Sequence, residues 1–108
     1  MDAIKLKNNY FNYDLAMRYL ASNEVILKKV VSRFLDDYKN FLNEIEENTY
    51  EKIHSLKGIT LNLGAEKLYL CSQNVLDSIK KGEDFDLQPF KYCFNMTYNE
   101  LKAFIDEN

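Results

Sequence analysis

Apolar residues recur at steps of three and four along most of this 108-residue chain, and that spacing limits the folds open to it. Leu27, Val30, Val31, Phe34, Leu35, Tyr38, Phe41, Leu42 and Ile45 form one such series. Phe90, Phe94, Thr97, Tyr98, Leu101, Phe104 and Ile105 form another. At about 100° per residue each series gathers on one side of an α-helix, as in a helix packed on one face. With three glycines and one proline, the chain lacks the turn residues that a many-stranded β fold requires. Eight tyrosines and seven phenylalanines supply most of the bulk of a single modest core.

In chain order, residues 1–12 carry no clear periodicity and read as lead-in coil. Tyr13 to about Ala21 reads as a short helix with Leu15, Met17 and Leu20 as its apolar members. Asn23 is a good N-cap for the longest predicted helix, Glu24 to about Glu47. A coiled coil is the rival reading of that helix, but the apolar stripe is broad and spans only about three heptads, which favours bundle packing. Asn48 or Thr49 can cap the next helix, which should run to about Leu63. Gly64 then turns the chain into a helix from Ala65 to Lys81, with Leu68, Cys71, Val75 and Ile79 as its inner stripe. Lys80 and Lys81 ahead of Gly82 are a C-terminal signal, and Pro89 suits the first turn of a last helix. The expected fold class is all-α: one domain over residues 1–108, an antiparallel four-helix bundle with a short additional N-terminal helix.

The net charge of −3 speaks against a nucleic-acid binder, which usually shows a concentrated basic face. No apolar run approaches the roughly 20 residues that span a bilayer, and Met1 to Lys7 lacks the apolar core of a signal peptide. Cys71 and Cys93 read as reduced core cysteines of a cytoplasmic protein. One histidine and two distant cysteines do not make a zinc ligand set, so no metal site is expected.

The only histidine, His54, lies in the stretch Ile53 to Ala65. On a helix, Ile53, Leu56, Thr60 and Leu63 fall on the core side, while Glu51, His54, Lys57, Gly58 and Leu61 fall on the other. His54 is thus expected to be exposed in mid-helix beside a lysine. Gly58, one turn on, leaves bare backbone next to the imidazole. A glycine inside a helix costs about 1 kcal/mol relative to alanine, and close approach of another molecule would account for it.

This arrangement resembles the histidine-containing phosphotransfer (HPt) domain family, whose motif reads His-x-x-Lys-Gly followed by Leu or Ile and Gly at the far end of the same helix. The matching residues are His54, Lys57, Gly58, Leu63 and Gly64, and the resemblance extends from about Tyr13 to Ile105. It implies the four-helix architecture, which periodicity alone does not fix. It also implies that His54 is a phosphoacceptor, shuttling a phosphoryl group between aspartates of response-regulator receiver domains. A hybrid histidine kinase is a further expected partner, and the chain is expected as a monomer. Mg²⁺ is supplied by the receiver; this chain binds no cofactor itself.

Such a histidine must act as a nucleophile, and only a neutral imidazole has a free ring nitrogen. Histidine ordinarily titrates near about pH 6.5, so no special base is required at neutral pH. Lys57 has two open readings, an offset for phosphoryl charge or a solvated surface lysine. Gly64 is assigned a structural turn. Leu61 and Leu76 are either an apolar docking rim or two partly buried leucines; many family members carry Glu or Gln where Leu76 falls. No nucleotide-binding loop or kinase motif occurs in the sequence, so no autonomous kinase activity is expected. The chain begins at Met1 and ends soon after its last helix, which suits a stand-alone protein; an excised kinase domain is the close variant. The alternative from another class is a non-catalytic helical adaptor, although an adaptor of this fold would usually lack the histidine.

Overall fold

A computed structural model describes residues 10–107; most of the expected lead-in coil, residues 1–9, lies outside the described residues. Those described form six helices and no strand: α1 (Tyr13–Tyr19), α2 (Glu24–Asp37), α3 (Phe41–Glu44), α4 (Thr49–Thr60), α5 (Glu66–Lys81) and α6 (Gln88–Asp106). The fold is all-α and compact, with a radius of gyration of 14.0 Å. No helix is long and apolar enough to cross a membrane among the described residues.

Local chemistry sets several boundaries. The Asn12 side chain accepts from the Leu15 N–H at the start of α1, and Asn23 accepts from the Ile26 N–H at the start of α2, each at 3.0 Å. Between them the chain turns through Ala21 and Ser22, both in the left-handed region, so α1 stops at Tyr19 rather than near Ala21.

The single helix predicted over 24–47 is broken. α2 ends at Asp37 and a turn through Tyr38, Lys39 and Asn40 leads into α3. The last turn of α2 holds Asp36 and Asp37 and no basic residue, the wrong charge for the negative end of the helix dipole. Aromatic packing uses the break. Tyr38 stacks on Phe34 with ring centroids 4.8 Å apart, and Phe41 stacks on Phe94 at 5.2 Å. The Tyr98 hydroxyl donates to the Leu35 carbonyl at 2.8 Å, which adds a polar tie between α2 and α6. α6, with 19 residues, is thus the longest helix.

α5 packs against both α4 and α6, while α6 also packs against α2. A helix held between two neighbours buries a wide arc, and the expected inner stripe of α5 is shifted accordingly. Leu68, Ser72, Val75 and Leu76 are buried, whereas Cys71 and Ile79 are half-buried. Leu76, at 2% exposure, belongs to the core and does not form the docking rim considered for it.

Gly64 joins three elements. Its φ of +69° is a left-handed conformation that favours glycine, and its carbonyl accepts from the Asn12 N–H at 2.8 Å. A Cβ at this position would lie 2.1 Å from the Asn12 carbonyl oxygen. Gly64 therefore turns α4 into α5 and seats the entry to α1 on that turn. Gly82 is a useful contrast. It has a φ of +68° at the end of α5, but a Cβ there meets nothing within 4 Å. Gly82→Ala should cost about 1–2 kcal/mol, the left-handed penalty alone. Gly64→Ala should cost about 3 kcal/mol or more, because overpacking against backbone is added. Urea unfolding midpoints test this; equal losses would show that the Asn12 contact relaxes freely.

Candidate functional site

α4 opens without the side-chain cap expected from Asn48 or Thr49. Asn48 instead adopts a left-handed conformation, with φ 55°, and the Thr49 hydroxyl donates back to the Ile45 carbonyl at 2.8 Å. The helix closes earlier than expected, at Thr60 rather than near Leu63. Leu63 N–H and Ala65 N–H both donate to the Thr60 carbonyl, and Gly64 N–H donates to that of Leu61. The Thr60 hydroxyl meanwhile satisfies its own buried position by donating to the Lys57 carbonyl at 2.8 Å.

These ends fix the roll of α4. Ile53, Leu56 and Thr60 each have 0% exposure. The opposite face presents Glu51, His54, Ser55 and Gly58 to solvent, while Lys57 and Leu61 are half-buried. His54, Lys57 and Gly58 thus occupy one contiguous side of α4, since residues three and four apart are neighbours on a helix. Gly64 lies buried at the far turn, away from this surface.

Three residues that sequence reasoning did not single out complete the surroundings. The Tyr50 ring lies offset-stacked on the His54 imidazole, with centroids 6.1 Å apart and planes 16° from parallel. The Lys80 ammonium, from α5, is 6.0 Å from the Tyr50 ring centroid. The Lys57 ammonium is 5.2 Å from that of Tyr69, also on α5. Two lysines thereby lie over aromatic rings, one of them the Tyr50 ring that neighbours the histidine. The i, i+4 spacing of Tyr50 and His54 was a usable signal. Lys80 and Tyr69 depend on the register of α5 against α4, which sequence periodicity does not give.

The chemistry open to this surface is nucleophilic. The imidazole is exposed, and Lys57 lies three residues on along the same side of α4. Cys93 offers no comparable nucleophile. It is 3% exposed, and burial, followed by a hydrogen bond with Cys71, pushes its thiol up to about 12. No group of three or more His, Cys, Asp or Glu side chains among the described residues is arranged to hold a metal ion. A cleft of about 350 Å³ opens beside α4, lined by Asp37, Tyr38, Glu44, Glu51 and Ser55 among others, but His54 is not part of it.

Gly58 behaves unlike Gly64. A Cβ at 58 meets nothing within 4 Å, so nothing inside the fold demands glycine there. Gly58→Ala should raise stability by up to about 1 kcal/mol through helix propensity, and Gly58→Gln should fold equally well. A loss of thermal stability in either variant would mean that residue 58 faces a neighbouring helix.

No family model, curated protein or solved structure matches the chain.

Proposed function

We propose that this protein is a histidine phosphotransfer protein of a phosphorelay, with His54 as the phosphoacceptor. The observation that carries the reading is the joint placement of His54, Lys57 and an uncovered Gly58 on one side of α4, with the chain's sole histidine exposed in mid-helix. In this reading α2, α4, α5 and α6 are the four helices of an antiparallel bundle, α1 is the short helix ahead of them, and α3 is a break within the first long helix.

The step follows from the chemistry of the two side chains. A ring nitrogen of neutral His54 directs its lone pair at the phosphorus of an aspartyl phosphate on a receiver domain. A P–N bond forms as the P–O bond breaks, and the aspartate leaves as a carboxylate with the electron pair. The proton on the other ring nitrogen then equilibrates with water. Return of the group to a second receiver reverses these bonds. A phosphoryl group on His54 stands free of the helix surface, where a receiver can approach it over the bare backbone at Gly58. Lys57 offsets part of the phosphoryl charge. Positioning dominates such transfers, so the protein needs a rigid, accessible nucleophile more than it needs a pocket. Mg²⁺ belongs to the receiver in this scheme. The buried Leu76 removes one polar support that many family members have, which leaves Lys57, three residues from His54, as the cation on the same side of α4.

The test is transfer from a phosphorylated receiver in the presence of Mg²⁺. Wild-type protein should take up one acid-labile, alkali-stable phosphoryl group. His54→Gln should take up none while melting within about 0.5 kcal/mol of wild type, since the side chain is exposed. Labelling of the variant at another residue would overturn the assignment.

A further inference from the structure

We propose that Tyr50 is a positioning residue for His54, a role that rests on the phosphocarrier reading above. The two side chains sit one turn apart on α4, with ring centroids 6.1 Å apart and planes 16° from parallel. Tyr50 is itself held. It is half-buried, it packs against the core, and the Lys80 ammonium from α5 is 6.0 Å from its ring centroid. His54, by contrast, is exposed. An exposed side chain on a helix samples several staggered rotamers, and most of them aim the imidazole away from any one direction of approach. A ring anchored from two helices and lying nearly parallel to the imidazole favours the orientations in which the two planes stay aligned.

The direction of the constraint matters. The lone pair that attacks phosphorus lies in the plane of the imidazole, at its edge. A ring nearly parallel to the imidazole and displaced from it by 6.1 Å bounds the imidazole on its Tyr50 side and leaves the outer edge open. Tyr50 therefore restricts the nucleophile without obstructing it, which an edge-on neighbour or a hydrogen-bond donor on the reactive nitrogen would not do. The lysine adds a second effect. Its attraction to the face of the Tyr50 ring ties the stack to α5, so the orientation of His54 follows the packing of two helices rather than the freedom of one side chain.

Phosphoramidate is the probe. It transfers its phosphoryl group to an imidazole nitrogen: a P–N bond to the ring forms, the P–N bond to the donor breaks, and ammonia leaves. Because His54 is the only histidine, its two carbon-bound ring protons are unambiguous in a proton spectrum of the full chain. In wild type they should be displaced from free-histidine positions by the Tyr50 ring current. Tyr50→Leu and Tyr50→Met, which keep apolar bulk but lack a ring, should return them toward those positions and slow labelling about threefold to tenfold. Tyr50→Phe should retain the displacement and label within about twofold of wild type. A merely structural role would alter melting without this division between ring and no ring. Undisplaced ring protons in wild type overturn the proposal without any variant, as does wild-type labelling of either ringless variant. Failure of the phosphocarrier reading looks different: a phosphoramidate-labelled protein that passes nothing to a receiver.

Discussion

The close approach of the Asn12 carbonyl to Gly64 fixes how the entry to α1 sits on the turn between α4 and α5. The carbonyl oxygen occupies the space where any other residue at 64 would place its Cβ. One residue, Asn12, thereby makes three connections: its N–H donates to the Gly64 carbonyl, its carbonyl seats against the Gly64 Cα, and its side chain caps α1. Ala16, fully buried on α1, would stand 3.1 Å from a Cβ on Gly64, so a small side chain there belongs to the same fit. Leu63 and Ala65, on either side of the glycine, are fully buried. The end of α4 is consequently fixed in rotation as well as in position, and that rotation decides which of its residues face water.

The remaining packing divides the labour. α6 carries a column of aromatic rings, Phe90, Phe94 and Tyr98, against which Phe34 and Phe41 are laid. Such ring pairs add about 0.5–1.5 kcal/mol each beyond the area they bury. The buried residues of α4 and α5 are different in kind: Ile53, Leu56, Leu68, Val75 and Leu76, with Ser72 as a small fully buried residue on α5. α5 thus links an aromatic half to an aliphatic half. α4 packs through one face only, and its other face carries the histidine.

Much of this was legible in the sequence, and each exception has its own physical cause. The steps of three and four located the helices, and a helical projection of residues 53–63 put Ile53, Leu56 and Thr60 inside and His54 outside, where the structure has them. The break at Tyr38 to Asn40 was hidden because a short turn preserves the apolar rhythm on both sides of it; Tyr38, Phe41 and Ile45 still face the core. The buried arc of α5 was misjudged because a projection places a stripe on one side, whereas two neighbouring helices together bury Leu68, Ser72 and Leu76. The capping bond expected at the start of α4 is absent because Asn48 takes a left-handed backbone conformation in which its side chain makes no capping bond. The Tyr50–Lys80 pair was invisible for a further reason. It depends on how far α5 is slid along α4, a quantity fixed by the turn at Gly64 and by no local pattern. What a sequence encodes in one helix is read easily; what two helices decide between them is not.

The two glycines that follow His54, Gly58 and Gly64, differ in what the fold asks of them. Both cost conformational freedom, and glycine in a helix interior gives up about 1 kcal/mol relative to alanine. At Gly64 the fold repays this at once, through a left-handed turn and a backbone contact that no side chain permits. At Gly58 it repays nothing: the residue is helical, exposed, and a Cβ there would touch no other part of the molecule. A purely structural account of residues 53–65 therefore explains one glycine and leaves the other without a reason. Violations of local helix preference that bring no gain within the chain are the ones expected at functional sites. The unexplained glycine lies one turn from the only histidine, on the face that the packing leaves open. In the proposed phosphocarrier reading, bare backbone at residue 58 serves a second molecule that comes close to the imidazole.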